Sequence, residues 1–266
     1  MSSNPHFIDK KTDRKLDNAI QRMIQRHGID RKTVDEVFDR STLLSIEKLI
    51  SNGMIDYVDF PISTGKEGNI FLAMTPDKIP VAMKIYRIST ATFKHMTDYI
   101  LGDPRFQSLH RSKRDIVYAW TAKEWKNLEK LYSEKIPVPQ PIKKINNILI
   151  MEFIGENRQP APLLKDIRLD SPQLVFNELL TYMKDMFVKC DLIHSDFSQY
   201  NILFHRNHPV IIDLGQAVLK THPRAKEFLK RDITNIRKYF KRYKIDLPSE
   251  EDLFLMIIGK KEMKSI

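Results

Sequence analysis

The chain has 266 residues, 42% hydrophobic and 29% charged, enough for one large domain or the two lobes of one enzyme around a sizeable core. Its 44 Lys and Arg against 34 Asp and Glu give a formal charge of +10, which either favours an acidic partner, nucleic acid being the commonest, or serves solubility alone. No run approaches the roughly eighteen apolar residues of a membrane span, residues 1–11 lack a signal-peptide core, and the single Cys190 allows no internal disulfide or cysteine metal site, all of which points to the cytoplasm.

In chain order, Leu16, Ile20, Met23 and Ile24 have helical spacing over 15–27, with Gly28 as a stop. A second helix is predicted over 42–52, with Ser41 as N-cap and Gly53 after it. Residues 1–54 thus form a helical N-terminal extension. A DNA-reading helix pair is the alternative, but no recognition face is evident. From Ile55 the pattern turns to strands at 55–62, 70–74 and 80–86, the first two joined by a turn over 63–69. Two of the chain's eight glycines, Gly65 and Gly68, lie in that turn around Lys66. A loop over phosphates needs such close backbone approach. Thr64-Gly65-Lys66-Glu67-Gly68 is, however, neither a Walker A nor a full G-x-G-x-x-G, and alone it reads as a hairpin loop.

Val81-Ala82-Met83-Lys84 on the third strand matches the V-A-I-K pattern, whose Lys holds nucleotide phosphates. A helix predicted over 113–132 is apolar at Val117, Trp120, Leu128 and Leu131, and Glu124 falls on that stripe. A carboxylate buried there without a partner is heavily penalised, and Lys84 is the natural counter-charge. Between them, 88–114 reads as a long functional loop carrying hydroxyls at Ser89, Thr90, Thr92, Thr97, Ser108 and Ser112 as candidate phosphoacceptors. Strands are predicted over 142–145 and 148–153. At Met151-Glu152-Phe153-Ile154-Gly155 a strand crosses to a linker, the kind of place where a kinase hinge hydrogen-bonds adenine through backbone groups, though the side chains alone do not say so. Ser171-Pro172 opens a buried helix, and further helices are predicted over 223–243 and 250–259, with 260–266 as a frayed tail.

The chemistry concentrates in His194-Ser195-Asp196-Phe197-Ser198-Gln199-Tyr200-Asn201. An Asp able to accept a hydroxyl proton stands five positions before an Asn able to ligate Mg²⁺, ahead of an apolar strand. Val210-Ile211-Ile212 then delivers Asp213-Leu214-Gly215, a second metal ligand. Asp-x4-Asn alone is weak. Paired with a nearby strand ending in Asp-x-Gly, it supplies a base and two metal ligands together.

Taken in order, Ser63 to Asn69, Lys84-Ile85-Tyr86, Gly102-Asp103-Pro104-Arg105-Phe106, Lys123-Glu124-x-x-Asn127-Leu128, Met151 to Gly155, the His194 to Leu203 loop and Ile211 to Gln216 resemble the RIO family of atypical protein kinases, specifically its first subfamily. The resemblance implies an α+β, two-lobed kinase-like fold. A small antiparallel β N-lobe with one helix and the hinge would span 55–154, and a mostly helical C-lobe 155–266. It also implies ATP with Mg²⁺, Mn²⁺ being an alternative. Lys84 would contact phosphates, with Lys66 and Gly68 in the loop over them, and Glu124 would orient Lys84. Asp196 would be the catalytic Asp, and Asn201 and Asp213 would hold metal. Asp213 would also carry a transient phosphoryl group in an ATPase cycle, and the partner would be the precursor of the small ribosomal subunit with its rRNA. Where that family usually has Ala, this chain has Gly68, which should loosen the loop slightly. Ser195 replaces the Arg that precedes the catalytic Asp of ordinary kinases, and only residues 216–222 separate Gly215 from Pro223, too few for an activation loop. Two other functions fit the same loop: a small-molecule phosphotransferase of aminoglycoside or choline kinase type, and an ATP-gated RNA- or ribosome-binding scaffold.

Overall fold

The computed structural model describes residues 39–262, apart from 89–95, 97–98, 101–102, 104 and 106–111. The helix expected over 15–27, most of the 88–114 loop and 263–266 lie outside the described residues. Within 88–114, Met96, Tyr99 and Ile100 are helical and buried, so that stretch is not simply a loop.

The first described helix, α1, spans Arg40–Ser51, two residues earlier than its periodicity suggested. Asp39 rather than Ser41 is its N-cap, because a carboxylate is the stronger acceptor. Asp39 Oδ1 accepts from the Thr42 amide at 2.8 Å and from the Ser41 hydroxyl at 2.6 Å. Five antiparallel strands follow in the order β1-β2-β3-β5-β4: β1 Tyr57–Thr64, β2 Gly68–Met74, β3 Pro80–Tyr86, β4 Pro141–Ile145 and β5 Ile148–Glu152. Alternation divides β3 between two faces. Val81, Met83 and Ile85 join Leu43, Ile46 and Leu49 of α1 in one core, whereas Ala82 and Tyr86 face the second and larger core. Asn146 and Asn147, in the turn between β4 and β5, tie that turn to Ser45 and Thr42 of α1 at 2.9 and 2.7 Å. By packing, α1 therefore belongs to the N-lobe, and the boundary expected at residue 54 runs through a single core.

On the other face lies α2, Lys113–Ser133, capped by Ser112, whose hydroxyl oxygen accepts from the Asp115 amide. Below it the chain forms two small hairpin strands, β6 Gly155–Glu156 and β7 Gln159–Pro160, and then α3 Pro172–Val188 with Pro at its start. The short strands β8 Leu192–Ile193, β9 Ile202–His205, β10 His208–Ile211 and β11 Val218–Leu219 present the loops of interest. Helix α4 covers Ala225–Phe240, continues as one 3₁₀ turn, Lys241–Tyr243, and stops at Lys244 with φ 55°. Helix α5, Glu250–Ile257, is capped by Ser249. The residues just beyond it do not fray: Gly259 turns left-handed at φ 77°, and the amides of Lys260 and Lys261 reach back to the Leu255 carbonyl. No helix among the described residues is long and apolar enough to cross a membrane.

Candidate active site

Between the sheet and the lower helices opens a cavity of about 440 Å³, lined by residues including Lys84, Met151, Glu152, Ile154, Asn201 and Asp213. Strand β3 points Lys84 into it because its neighbours in sequence, Met83 and Ile85, are needed on the α1 side. Lys84 Nζ lies 2.9 Å from Glu124 Oε1 of α2 and 3.0 Å from Asp213 Oδ1. Burial works against its charge, yet Asp213 and then Glu124 hold its pKa above the usual lysine value. Glu124 is 1% exposed, and burial pushes its carboxyl up to about 7 while Lys84 pulls the other way. Its remaining capacity is met by the Tyr86 hydroxyl and by the Leu214 amide at 3.3 Å. The expected Lys–Glu pair is thus one part of a four-membered cluster.

Asp213 takes a left-handed φ of 60°, uncommon for a residue with a side chain. This aims a carboxylate that is 45% exposed toward the cavity. Desolvation would raise its pKa, but the Lys84 charge prevails and lowers it. The loop beyond is held by α2: Lys123 Nζ donates to the Gly215 and Ala217 carbonyls at 2.7 and 2.5 Å, and Asn127 Nδ2 donates to Leu214 at 2.9 Å. Asn127 in turn accepts from Arg105, which is clasped by the buried Asp103. Asp103 and Arg105 therefore brace, through Asn127, the backbone that follows Asp213.

In the loop between β8 and β9, Asn201 Nδ2 donates to the backbone and side-chain oxygens of Asp196 at 2.9 and 2.8 Å. That amide is thereby oriented with its oxygen turned elsewhere. Ser195 has φ 68°, and the strain is held by Asp232 of α4, whose two oxygens accept from the Ser195 and Phe197 amides at 2.8 and 2.9 Å. Burial pushes Asp232 up to about 7, against those two bonds. His194 Nε2 lies 3.0 Å from the Ile212 carbonyl and so donates to it, linking this loop to the strand before Asp213.

Lys84, Met151, Glu152, Ile154, Asn201 and Asp213 thus converge on one cavity, with Glu124 directly behind Lys84. Asp196 lies at its edge, on a neighbouring cleft that shares Tyr200. Lys66 and Gly68 do not line the cavity. Lys66 is exposed in the turn after β1. Gly68 sits in β2 opposite Tyr86, where an added Cβ would lie 2.3 Å from the Ile85 carbonyl oxygen, so the approach of the two strands itself calls for glycine here. Residues not expected from the sequence are Tyr86, Lys123, Asn127 and Asp232 as positioning groups, and Ser63 in the cavity wall.

The expected metal ligands are two, Asn201 and Asp213, and among the described residues no cluster of three His, Cys, Asp or Glu side chains forms a cage. That suits Mg²⁺, which is commonly held by one or two carboxylates and completed by substrate phosphates and water.

A family model described as the RIO domain matches residues 69–253. The RIO-type serine/threonine-protein kinase Rio1 of Haloferax volcanii is 41% identical over 252 residues, covering 95% of this chain and 86% of its own length. The serine/threonine-protein kinase RIO1 of Homo sapiens is 34% identical over 93% of this chain, and the chain spans only 44% of that relative. Among solved structures, the Rio2 kinase of Chaetomium thermophilum superposes with TM-score 0.67 at 19% identity, over 96% of this chain and 88% of that one, which bears on the fold. The chain belongs to the RIO family of atypical serine/threonine protein kinases.

Proposed function

We propose that the cavity binds ATP with Mg²⁺, and that the chain moves the γ-phosphoryl group to a Ser or Thr hydroxyl of a protein. The observation that carries this is Lys84 Nζ, fixed 2.9 Å from Glu124 and 3.0 Å from Asp213 at the wall of a 440 Å³ cavity. Bound there, Mg²⁺ would neutralise phosphate charge, with Asn201 and Asp213 as the protein ligands. Lys84 supplies a fixed positive charge to the phosphates. The Ile154 N–H and Glu152 carbonyl meet the adenine edge, the opposite groups being taken, since Glu152 N–H donates to Gln140 and the Ile154 carbonyl accepts from Ala161. Asp196 accepts the proton of the incoming hydroxyl. Catalysis is positioning and charge compensation, with little covalent work. Replacing Asp196 by Ala should lower phosphoryl transfer by about 10²–10⁴-fold while the melting temperature stays close to wild type. Undiminished transfer in labelled ATP would sink the assignment.

A second chemistry has its own support. Asp213 offers a partly exposed, ionised carboxylate, and a solved Rio2 kinase of Chaetomium thermophilum, TM-score 0.65, is described as an ADP/Mg²⁺-phosphoaspartate complex. We assign Asp213 the role of transient phosphoryl acceptor in an ATPase cycle. An acid-labile label mapping to Asp213 supports it, and a purely acid-stable label on Ser or Thr contradicts it. Candidate acceptors in 88–114 other than Ser112 lie outside the described residues; Ser112 itself caps α2.

For the cellular partner we infer the small-subunit ribosomal precursor and its rRNA, supported by the charge of +10 and the family. Binding that falls steeply with salt is the expected result. The small-molecule alternative is disfavoured, because Lys238 and Arg242, not carboxylates, line the cleft beside Asp196 where a cationic acceptor would have to sit.

A further inference from the structure

Adjoining the nucleotide cavity is an open cleft of about 530 Å³ whose walls include Asp196, Ser198, Tyr200, Asn235, Lys238 and Arg242. Its far wall is α4 and the 3₁₀ turn that continues it. Asn235, Lys238 and Arg242 are spaced by three and four residues, so they share one face. At 1.5 Å per residue that face runs roughly 10 Å, about three residues of extended peptide. Lys238 and Arg242 are both exposed. The Arg242 guanidinium stacks 4.1 Å over the Tyr239 ring and lies 5.4 Å from that of Tyr243. Tyr239 is itself fixed, because its hydroxyl donates to the Leu164 carbonyl at 2.6 Å. Stacking occupies the face of a guanidinium, and although Arg242 also donates toward the Tyr239 and Tyr243 hydroxyls, its five N–H donors exceed those bonds and leave others to pair with carboxylates. The cleft therefore has polarity: a proton-accepting carboxylate at one end and two cations along the other wall.

We propose that this cleft is the acceptor subsite, and that it selects Ser- or Thr-bearing protein segments carrying acidic side chains within a few residues of the hydroxyl, read by Lys238 and Arg242. The proposal rests on the phosphoryl-transfer reading above. The hydroxyl oxygen bonds to the γ-phosphorus, its proton passes to the Asp196 carboxylate, and the bond from the γ-phosphorus to the bridging oxygen breaks to release ADP. A flanking carboxylate is what the α4 wall complements. An RNA backbone fits less well, because its phosphodiesters would be driven against Asp196 and Tyr200, the one exposed aromatic among the residues lining this cleft, offers no run of stacking platforms.

The test uses the full chain and three Ser peptides differing only in flanking Glu, Ala or Lys. With labelled ATP and Mg²⁺, kcat/KM for the Glu-flanked peptide should exceed that for the Ala-flanked one by about tenfold or more at low salt, the margin shrinking as salt rises. In the double variant Lys238→Glu, Arg242→Glu the order should invert, with the Lys-flanked peptide gaining, an outcome misfolding cannot produce. Equal kcat/KM for all three peptides, or an unaltered order in the double variant, overturns the proposal. Should wild type phosphorylate no peptide, the transfer reading fails separately, and fluorescence anisotropy of the same peptides decides the cleft. Tighter binding of the Glu-flanked peptide by about tenfold, lost in the double variant, supports it, and indifference refutes it. A uridine oligonucleotide that displaces the Glu-flanked peptide from wild type, and loses its own binding in the double variant, assigns the cleft to RNA instead.

Discussion

At the scale of single residues, Glu124 and Asp232 are the same problem met twice. Each is a carboxylate on the apolar stripe of a helix, Glu124 between Trp120 and Leu128 and Asp232 between Phe228 and Ile236. Glu124 is legible in the sequence because its partner is a side chain with its own motif. Asp232 is not, because its partners are the amides of Ser195 and Phe197, and backbone donors leave no trace in residue identities. The stripe alone would have flagged it. Its titration has a consequence. Burial raises its carboxyl from 3.8 to about 7, so between those values the folded state keeps a proton that the unfolded chain has released. The stabilisation from this group is complete below about pH 4 and drains away as pH climbs to 7. In Asp232→Asn, a plot of melting temperature against pH over 4–7 should therefore lose part of its downward trend. Since one amide is also left without its acceptor, the variant should be destabilised by about 1–3 kcal/mol. A pH dependence identical to wild type would refute the buried titration.

At the scale of elements, pattern and spacing carried most of the framework and failed where close approach decides. Strand β3 has its expected bounds, and α2 differs by one residue, because alternation and apolar periodicity are long and uninterrupted there. The turn after β1 carries a demand that its pattern does not show. Two glycines near a strand turn suggest phosphate binding, yet Gly68 is called for by the backbone of β3 crossing beside it. Gly68→Ala places a methyl against the Ile85 carbonyl, and neither backbone can yield cheaply. A loss of about 1–3 kcal/mol in denaturant unfolding is expected, and unchanged stability would show that β2 and β3 can part at no cost. Helix α2 does more than orient Lys84. Within Lys123, Glu124 and Asn127 it grips β3 and the backbone that follows Asp213, so both halves of the cleft are referenced to one rigid rod.

At the scale of the whole molecule, the lobes are joined by more than the hinge. Lys84 of the sheet reaches Asp213 below it, and Arg158, in the hairpin between β6 and β7, pairs with Asp59 of β1. A ligand spanning both sides should stabilise the chain as a unit. ADP with Mg²⁺ at about 100 times its Kd should add about 2.7 kcal/mol, or about 5–10 °C in Tm for a chain of this size. Lys84→Met should remove most of that shift. A full shift in the variant would mean that Lys84 makes no phosphate contact. The two-lobed architecture could be anticipated from motif order. That α1 shares the sheet's core could not, because an amphipathic helix does not name the surface it covers.

If Lys84 receives the phosphates as proposed, its ion pair with Asp213 makes nucleotide capture an exchange. Arriving phosphates find their lysine already engaged and a carboxylate facing them, so binding yields only the difference between two similar pairings. Departure is eased by the same amount, because the lysine recovers its old partner as product leaves. Without divalent ions the difference turns against binding, and Asp213→Asn should then bind ADP several-fold more tightly than wild type. Once Mg²⁺ is added the ranking should reverse, since the carboxylate that repelled the phosphates would then serve as a ligand of the ion. Titration calorimetry in chelator and in Mg²⁺ reads both arms, and an Asn variant weaker in both would break the exchange. On the proposed reading, turnover would depend as much on what Lys84 returns to as on what it holds.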